Sequence, residues 1–269
     1  MTGAGAGVVL LVLTWVVALH TGFGARADHV ILHGFVGLQR PRVNTLAALI
    51  TRLCDPEEFV GLGALIILVA LVRRRPRIAL AVGAVLLCAS VTTELLKEVL
   101  PSSRYLPGVS HPVGSWPSGH ATAAMSLALG AVLAAPGRVR PIIAVAGTAF
   151  ALAVSYSTLT LVWHYPSDVL GGFLVAGTWT LIVVAVLFRV ETGRGISQSE
   201  DGARPSLRSA LTAPAAGCAL AAILGGVILV VRPHQFLSYA RFHTVFIIGA
   251  AAIGAIGLVV ATAVVLVRR

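Results

Sequence analysis

Charge is what this sequence has least of. Only 11% of its 269 residues are Asp, Glu, Lys or Arg, where an average soluble domain carries about a quarter. Hydrophobic residues make up 57% and the mean hydropathy is +0.93. Such a chain has too few charges to cover a water-facing surface, which excludes a soluble globular enzyme and a disordered segment. Cysteine is also scarce. Cys54, Cys88 and Cys218 are an odd number at no repeating spacing, so they make neither a disulfide framework nor a zinc site. Strand-like alternation of polar and apolar residues is missing, which argues against a β-barrel. The net charge of +10 would raise nucleic-acid binding in a soluble protein. Here the basic residues sit in short clusters between apolar runs, as membrane topology demands, and no nucleic-acid partner is expected.

What is present is a series of long apolar runs. A bilayer core takes about 20 mostly apolar residues per helix. Eight runs qualify, at roughly 4–22, 57–73, 77–96, 119–136, 140–162, 166–188, 209–231 and 243–267. The expected fold is therefore an all-α polytopic transmembrane bundle, since helices satisfy their own backbone groups in lipid. The first run ends near Ala25-Arg26-Ala27, a small-residue stretch resembling a cleavage site. Residues Met1 to Gly7 lack the basic leader of a signal peptide, so a retained helix is expected.

Basic residues orient the bundle. With the N-terminus in the cytoplasm, the inner segments hold 12 Lys or Arg and the outer ones 8. The hairpin Arg73-Arg74-Arg75-Pro76-Arg77 carries four arginines and no acid, which fixes it on the inner side. Both termini are then cytoplasmic. The outer loop, about 23–56, has a pattern of short amphipathic helices lying at the interface. Within it His29 and His33 are four apart, read either as interfacial polar residues or as two metal ligands. The hydrophilic stretch 189–208 is a cytoplasmic linker. It divides residues 1–188, six core helices, from 209–269, two Ala- and Gly-rich helices suited to close packing.

Ionisable groups at membrane depth are costly and usually functional, so their clustering matters. Three clusters fall on the outer side. The first is Lys97 and Arg104 around Pro101, two cations that either snorkel to the interface or converge on a phosphate. The second is Trp116-Pro117-Ser118-Gly119-His120. Ser118 is a good N-cap, Gly119 admits close approach to the backbone, and a helix start attracts anions. This segment reads either as an ordinary capped helix or as a phosphate cradle in which His120 is a proton donor. The third is His164-Tyr165-Pro166-Ser167-Asp168, where His and Asp four apart share a helical face. A carboxylate on one imidazole nitrogen leaves the other free to attack; a metal pair is the rival reading. Together the three clusters contain charge clamps, an oriented nucleophile and an acid for a leaving oxygen. Phosphate-ester cleavage through a phosphohistidine needs these and requires neither metal nor cofactor.

These residues resemble the signature of the type 2 phosphatidic acid phosphatase (PAP2) family of membrane lipid phosphatases. Lys97 and Arg104 have that family's six-residue gap, with Tyr105 where Pro is usual. Pro117-Ser118-Gly119-His120 matches in full. Ser157 is followed by Thr158 instead of Arg, then by His164 and Asp168 at the family's spacing. The resemblance spans about residues 24–188 and implies a six-helix core, with the last two helices outside it. It implies His164 as nucleophile, Asp168 as its partner and His120 as acid. Lys97, Arg104, Ser118 and the Gly119 N–H would hold phosphate oxygens, with Thr158 in the place of the family's arginine.

The expected activity is hydrolysis of a lipid phosphate or diphosphate at the outer face of the membrane. Polyprenyl diphosphates, phosphatidic acid and phosphatidylglycerol phosphate all fit. The richness in Ala, Val, Gly and Arg, with Lys97 as the one lysine, points to a GC-rich bacterial gene and a plasma-membrane protein. Loss of a charge-assisted hydrogen bond, about 1.5–3 kcal/mol, at Thr158 motivates the alternative, a weak or inactive lipid-phosphate-binding protein on the same fold.

Overall fold

The computed structural model describes residues 2–100, 104, 116–193 and 244–267. Among these residues there are nine α-helices and no strand: α1 (Thr2–His20), α2 (Gly22–Val36), α3 (Pro41–Arg52), α4 (Pro56–Val72), α5 (Pro76–Val99), α6 (Gly119–Ala134), α7 (Arg140–Thr160), α8 (Pro166–Gly193) and α9 (Thr244–Val267). Seven of the eight apolar runs coincide with helices. The run 209–231 lies outside the described residues, as does most of the stretch 189–208, whose first residues continue α8 to Gly193. The amphipathic stretch 23–56 holds α2 and α3. Four helical stretches are long and apolar enough to cross a bilayer: Gly3–His20, Pro76–Val99, Arg140–Thr160 and Pro166–Val190.

Short, small-residue α6 is the centre. Its sequence, GHATAAMSLALGAVLA, buries nearly every position, and α4, α5, α7 and α8 pack around it. Ala, Gly and Ser leave little side-chain bulk, so the neighbouring backbones close in. The clearest case is Gly172 of α8, where a Cβ would stand 2.8 Å from the Ser118 carbonyl and 2.9 Å from the Thr122 nitrogen. Outside this ring, α1 packs on α8 and α2, α3 on α7, and α9 on α2, α7 and α8. Much of α1, including Val8, Val9, Leu10, Val12 and Leu13, is exposed apolar surface, as a lipid-facing helix should be.

Helix ends are built from both caps and cations. Ser118 sits in extended conformation and its hydroxyl accepts the Ala121 N–H, starting α6. At the other end of α6, Arg73 and Arg140 donate to the carbonyls of Ala134 and Ala135, cations at the negative end of the helix dipole. α4 and α7 both end in a Schellman turn. In α7, Val162 N–H donates to Leu159 O and Trp163 N–H to Thr158 O, with Val162 at φ 60°. In α4, Arg74 takes that left-handed position at φ 56°. Neither turn uses glycine.

α9 closes one flank. Tyr156 of α7 donates its hydroxyl to the Ala250 carbonyl at 2.7 Å, Ile253 is buried, and Gly249 lies so close to Ile31 of α2 that a Cβ would meet its side chain at 2.5 Å. Small residues on this helix thus serve packing.

Candidate active site

One end of the bundle gathers the end of α5, the start of α6, the α7–α8 turn, the start of α8, α2 and the residue before α4. The Schellman turn at Val162 reverses the chain after α7 and leads into Trp163 and His164. Pro166 then occupies the first position of α8, where its missing N–H costs nothing. Asp168, three residues into the segment, reaches back so that its Oδ2 accepts the Tyr165 N–H at 2.8 Å, the return half of a capping box. The same oxygen lies 3.3 Å from His164 Nδ1. Asp168 is therefore held by the helix start while it holds the imidazole, and both side chains are buried.

α6 begins against this pair. The Ser118 N–H donates to the Asp168 carbonyl at 2.9 Å, so the two helix starts are joined by a backbone bond. His120, on the first turn of α6, has Nε2 3.4 Å from Asp55 Oδ1, its ring tilted against Trp163 with centroids 5.5 Å apart. Its imidazole lies within electrostatic reach of both His164 and Lys97. Lys97 Nζ would stand 3.1 Å from a Cβ placed on Gly119, so Gly119 admits the ammonium to the start of α6. That ammonium is also paired with Glu94 at 2.7 Å.

Arg104 reaches the same end from the segment after α5, where Pro101 and Tyr105 lie outside the described residues. Its guanidinium stacks on the Tyr165 ring at 3.8 Å. NH2 is 3.2 Å from Ser167 Oγ and 3.7 Å from Asp168 Oδ1, and NH1 is 2.8 Å from Asp28 Oδ2. Seven of the eight residues singled out in the sequence thus converge: Lys97, Arg104, Ser118, Gly119, His120, His164 and Asp168.

Thr158 spends its hydroxyl within its own helix. It is fully buried, and its hydroxyl donates to the Ser155 carbonyl one turn back at 2.8 Å. His29 and His33 do not form a pair of ligands with a third: among the described residues no three His, Cys, Asp or Glu side chains gather at metal-ligand spacing. His29 instead sets its ring edge-on to Tyr165, centroids 5.2 Å apart. Burial first, and the Arg104 charge second, hold its ionisation below the usual histidine range.

Three residues at the site carried no motif. Asp28 of α2, Asp55 before α4 and Ser167 of α8 touch Arg104 or His120 directly. Asp28 is the first acid in the chain, with none other before Asp55; a lone buried acid was the signal available. Burial raises the Asp28 carboxyl above its ordinary range, against the lowering effects of the Arg104 charge and the Ser167 hydrogen bond.

An all-helical bundle with apolar membrane-length helices and one polar end carrying a His–Asp pair defines a class of integral membrane protein. Residues 77–191 match the model of the PAP2 superfamily. In fold it is similar to the crystal structure of a transmembrane PAP2-type phosphatidylglycerolphosphate phosphatase from Bacillus subtilis, with TM-score 0.59 and 20% identity over 74% of this chain and 100% of that one. No curated protein matches this sequence.

Proposed function

We propose that this protein hydrolyses a lipid phosphate or diphosphate at the outer face of the membrane through a phosphohistidine. The observation that carries this is the His164–Asp168 pair. Asp168 is itself anchored by the Tyr165 N–H, and it engages Nδ1 of His164, which leaves Nε2 as the nucleophile.

In the first step the Nε2 lone pair attacks phosphorus, the bond from phosphorus to the leaving oxygen breaks, and His120 gives that oxygen its proton. In the second, water attacks the phosphohistidine, neutral His120 takes its proton, and the N–P bond breaks to release phosphate. Lys97, Arg104 and the free N–H groups at the start of α6 stabilise the charge on the phosphoryl oxygens. Phosphatidylglycerol phosphate, the substrate named for the Bacillus neighbour, is one candidate beside phosphatidic acid and polyprenyl diphosphates. An outward site is supported by the Arg73–Arg77 hairpin, at the opposite end of α5 from Lys97.

The test is a panel of these lipids given to the purified full-length protein. Phosphate release is expected on at least one, and His164→Ala should lower it by at least about a thousandfold, as loss of a nucleophile does. An acid-labile labelled phosphoprotein should be trapped by rapid quenching of the native protein with a cleaved lipid and be absent in His164→Ala. Phosphate binding without turnover on any lipid would instead establish the binding-protein alternative.

A further inference from the structure

Asp28 is a heavily engaged buried acid, yet it lies on α2, well before the segment matching the family model. Its Oδ1 accepts the Ser167 N–H at 3.0 Å, its Oδ2 accepts the Ser167 hydroxyl at 2.6 Å, and the same Oδ2 is 2.8 Å from Arg104 NH1. The residue is 5% exposed. Ser167 occupies the first turn of α8, so this carboxylate caps from another helix the element that presents Asp168 and follows His164.

We infer that Asp28 is a positioning residue for the phosphate site, fixing the Arg104 guanidinium against the start of α8 so that its unspent donors face the phosphoryl group beside His164. This rests on the phosphate-site reading above. Guanidinium has five N–H donors in a rigid fork. Asp28 lies at one arm and Ser167 accepts from the other, while Tyr165 supports the plane from below. Nε and NH1 are both buried without a partner in hydrogen-bond geometry, so Asp28 meets NH1 as an ion pair and Nε keeps its donor unspent. Without Asp28 the long Arg104 side chain would keep only the Ser167 hydroxyl, the Tyr165 face and a 3.7 Å approach to Asp168, and would turn toward that carboxylate. The anchoring acid thus also keeps Arg104 from capping Asp168, which His164 needs.

The variant Asp28→Asn separates anchoring from folding. An asparagine oxygen still accepts the Ser167 N–H, so α2 and α8 stay docked, while the charge facing Arg104 is lost. The expected result is a melting temperature close to native with phosphate affinity and kcat/KM both down about tenfold, the size of one charge-assisted bond. Affinity is read by titrating inorganic phosphate against intrinsic fluorescence, since Trp163 lies beside His120. Arg104→Ala should then cost far less in the Asp28→Asn background than in the native protein, because two changes to one anchored unit do not add. Ser167→Ala should lower the melting temperature more than the phosphate affinity. The inference is overturned if Asp28→Asn leaves phosphate affinity within about twofold of native, or if its effect and that of Arg104→Ala multiply. Binding of phosphate that depends on Asp28, in a protein that cleaves no lipid, upholds the inference and refutes the phosphatase reading; failure of the native chain to bind phosphate refutes both.

Discussion

Thr158 stands where the PAP2 pattern carries arginine, and its surroundings decide what a restored arginine would do. The side chain is wholly enclosed and its hydroxyl is spent on the Ser155 carbonyl. An arginine there would bury a charge, at a cost of several kcal/mol when unpaired. Thr158→Arg should therefore lower the thermal stability in detergent by well over about 2 kcal/mol without raising phosphatase activity. Thr158→Ser should be close to native in both. A stable, more active Thr158→Arg would show that this position opens onto the phosphate after all.

His29 gives a pH dependence whose sign can be worked out. Burial and then Arg104 place its folded-state pKa below the usual histidine range, so the folded protein favours the neutral ring. That contribution to stability is fully present above the unfolded value and is lost as pH falls through the lowered folded one. Melting temperature should drop on acidification from about pH 7 to pH 5, and His29→Gln should remove part of the drop. An unchanged slope in His29→Gln would show that the ring titrates as it does in water.

Which residues could be read in advance follows from distance along the chain. His164 and Asp168 are four apart, and a helical face brings such a pair together without knowledge of the fold. Ser118 before Gly119 is a local cap. Asp28 and Ser167 are separated by 139 positions, and only the packing of α2 onto the start of α8 makes them partners. Spacing alone could not tell that the Thr158 hydroxyl is buried and spent on the Ser155 carbonyl.

At the level of helices, the apolar runs announced where segments begin and end, because about 20 apolar residues have few other uses. The two Schellman turns were hidden, since the expected glycine is replaced by Val162 and Arg74. A β-branched residue in the left-handed region costs on the order of 1–2 kcal/mol, and Val162 is also buried. Val162→Ala loses apolar contact and keeps the strain; Val162→Gly loses the same contact and relieves it. The glycine variant should be the more stable of the two by about 1 kcal/mol, the reverse of their order inside a helix. Equal stability, measured by unfolding in mild detergent, would mean the turn is not held in this conformation.

The whole molecule is polarised, with arginines capping one end of α6 and the proposed phosphate site at the other. In a background with the three native cysteines replaced, Arg42→Cys and Arg138→Cys report on opposite ends. A membrane-impermeant maleimide added to intact cells should label the first and spare the second; the converse would invert the proposed orientation. Replacing Cys54 is a precaution only, since burial and then Asp55 push its thiol up to about 12, and the thiolate that reacts is scarce at neutral pH.

The docking of α9 on α2 and α7 has a bearing on biosynthesis. The ribosome releases Ile31 and Tyr156 long before Gly249 and Ala250, the residues that cover them. Until then the flank of the helix that carries Asp28 faces lipid or a chaperone, so a nascent chain halted after α8 has every residue of the site yet lacks the brace behind it. The brace behind the site is thus supplied by the last of the described helices to be synthesised.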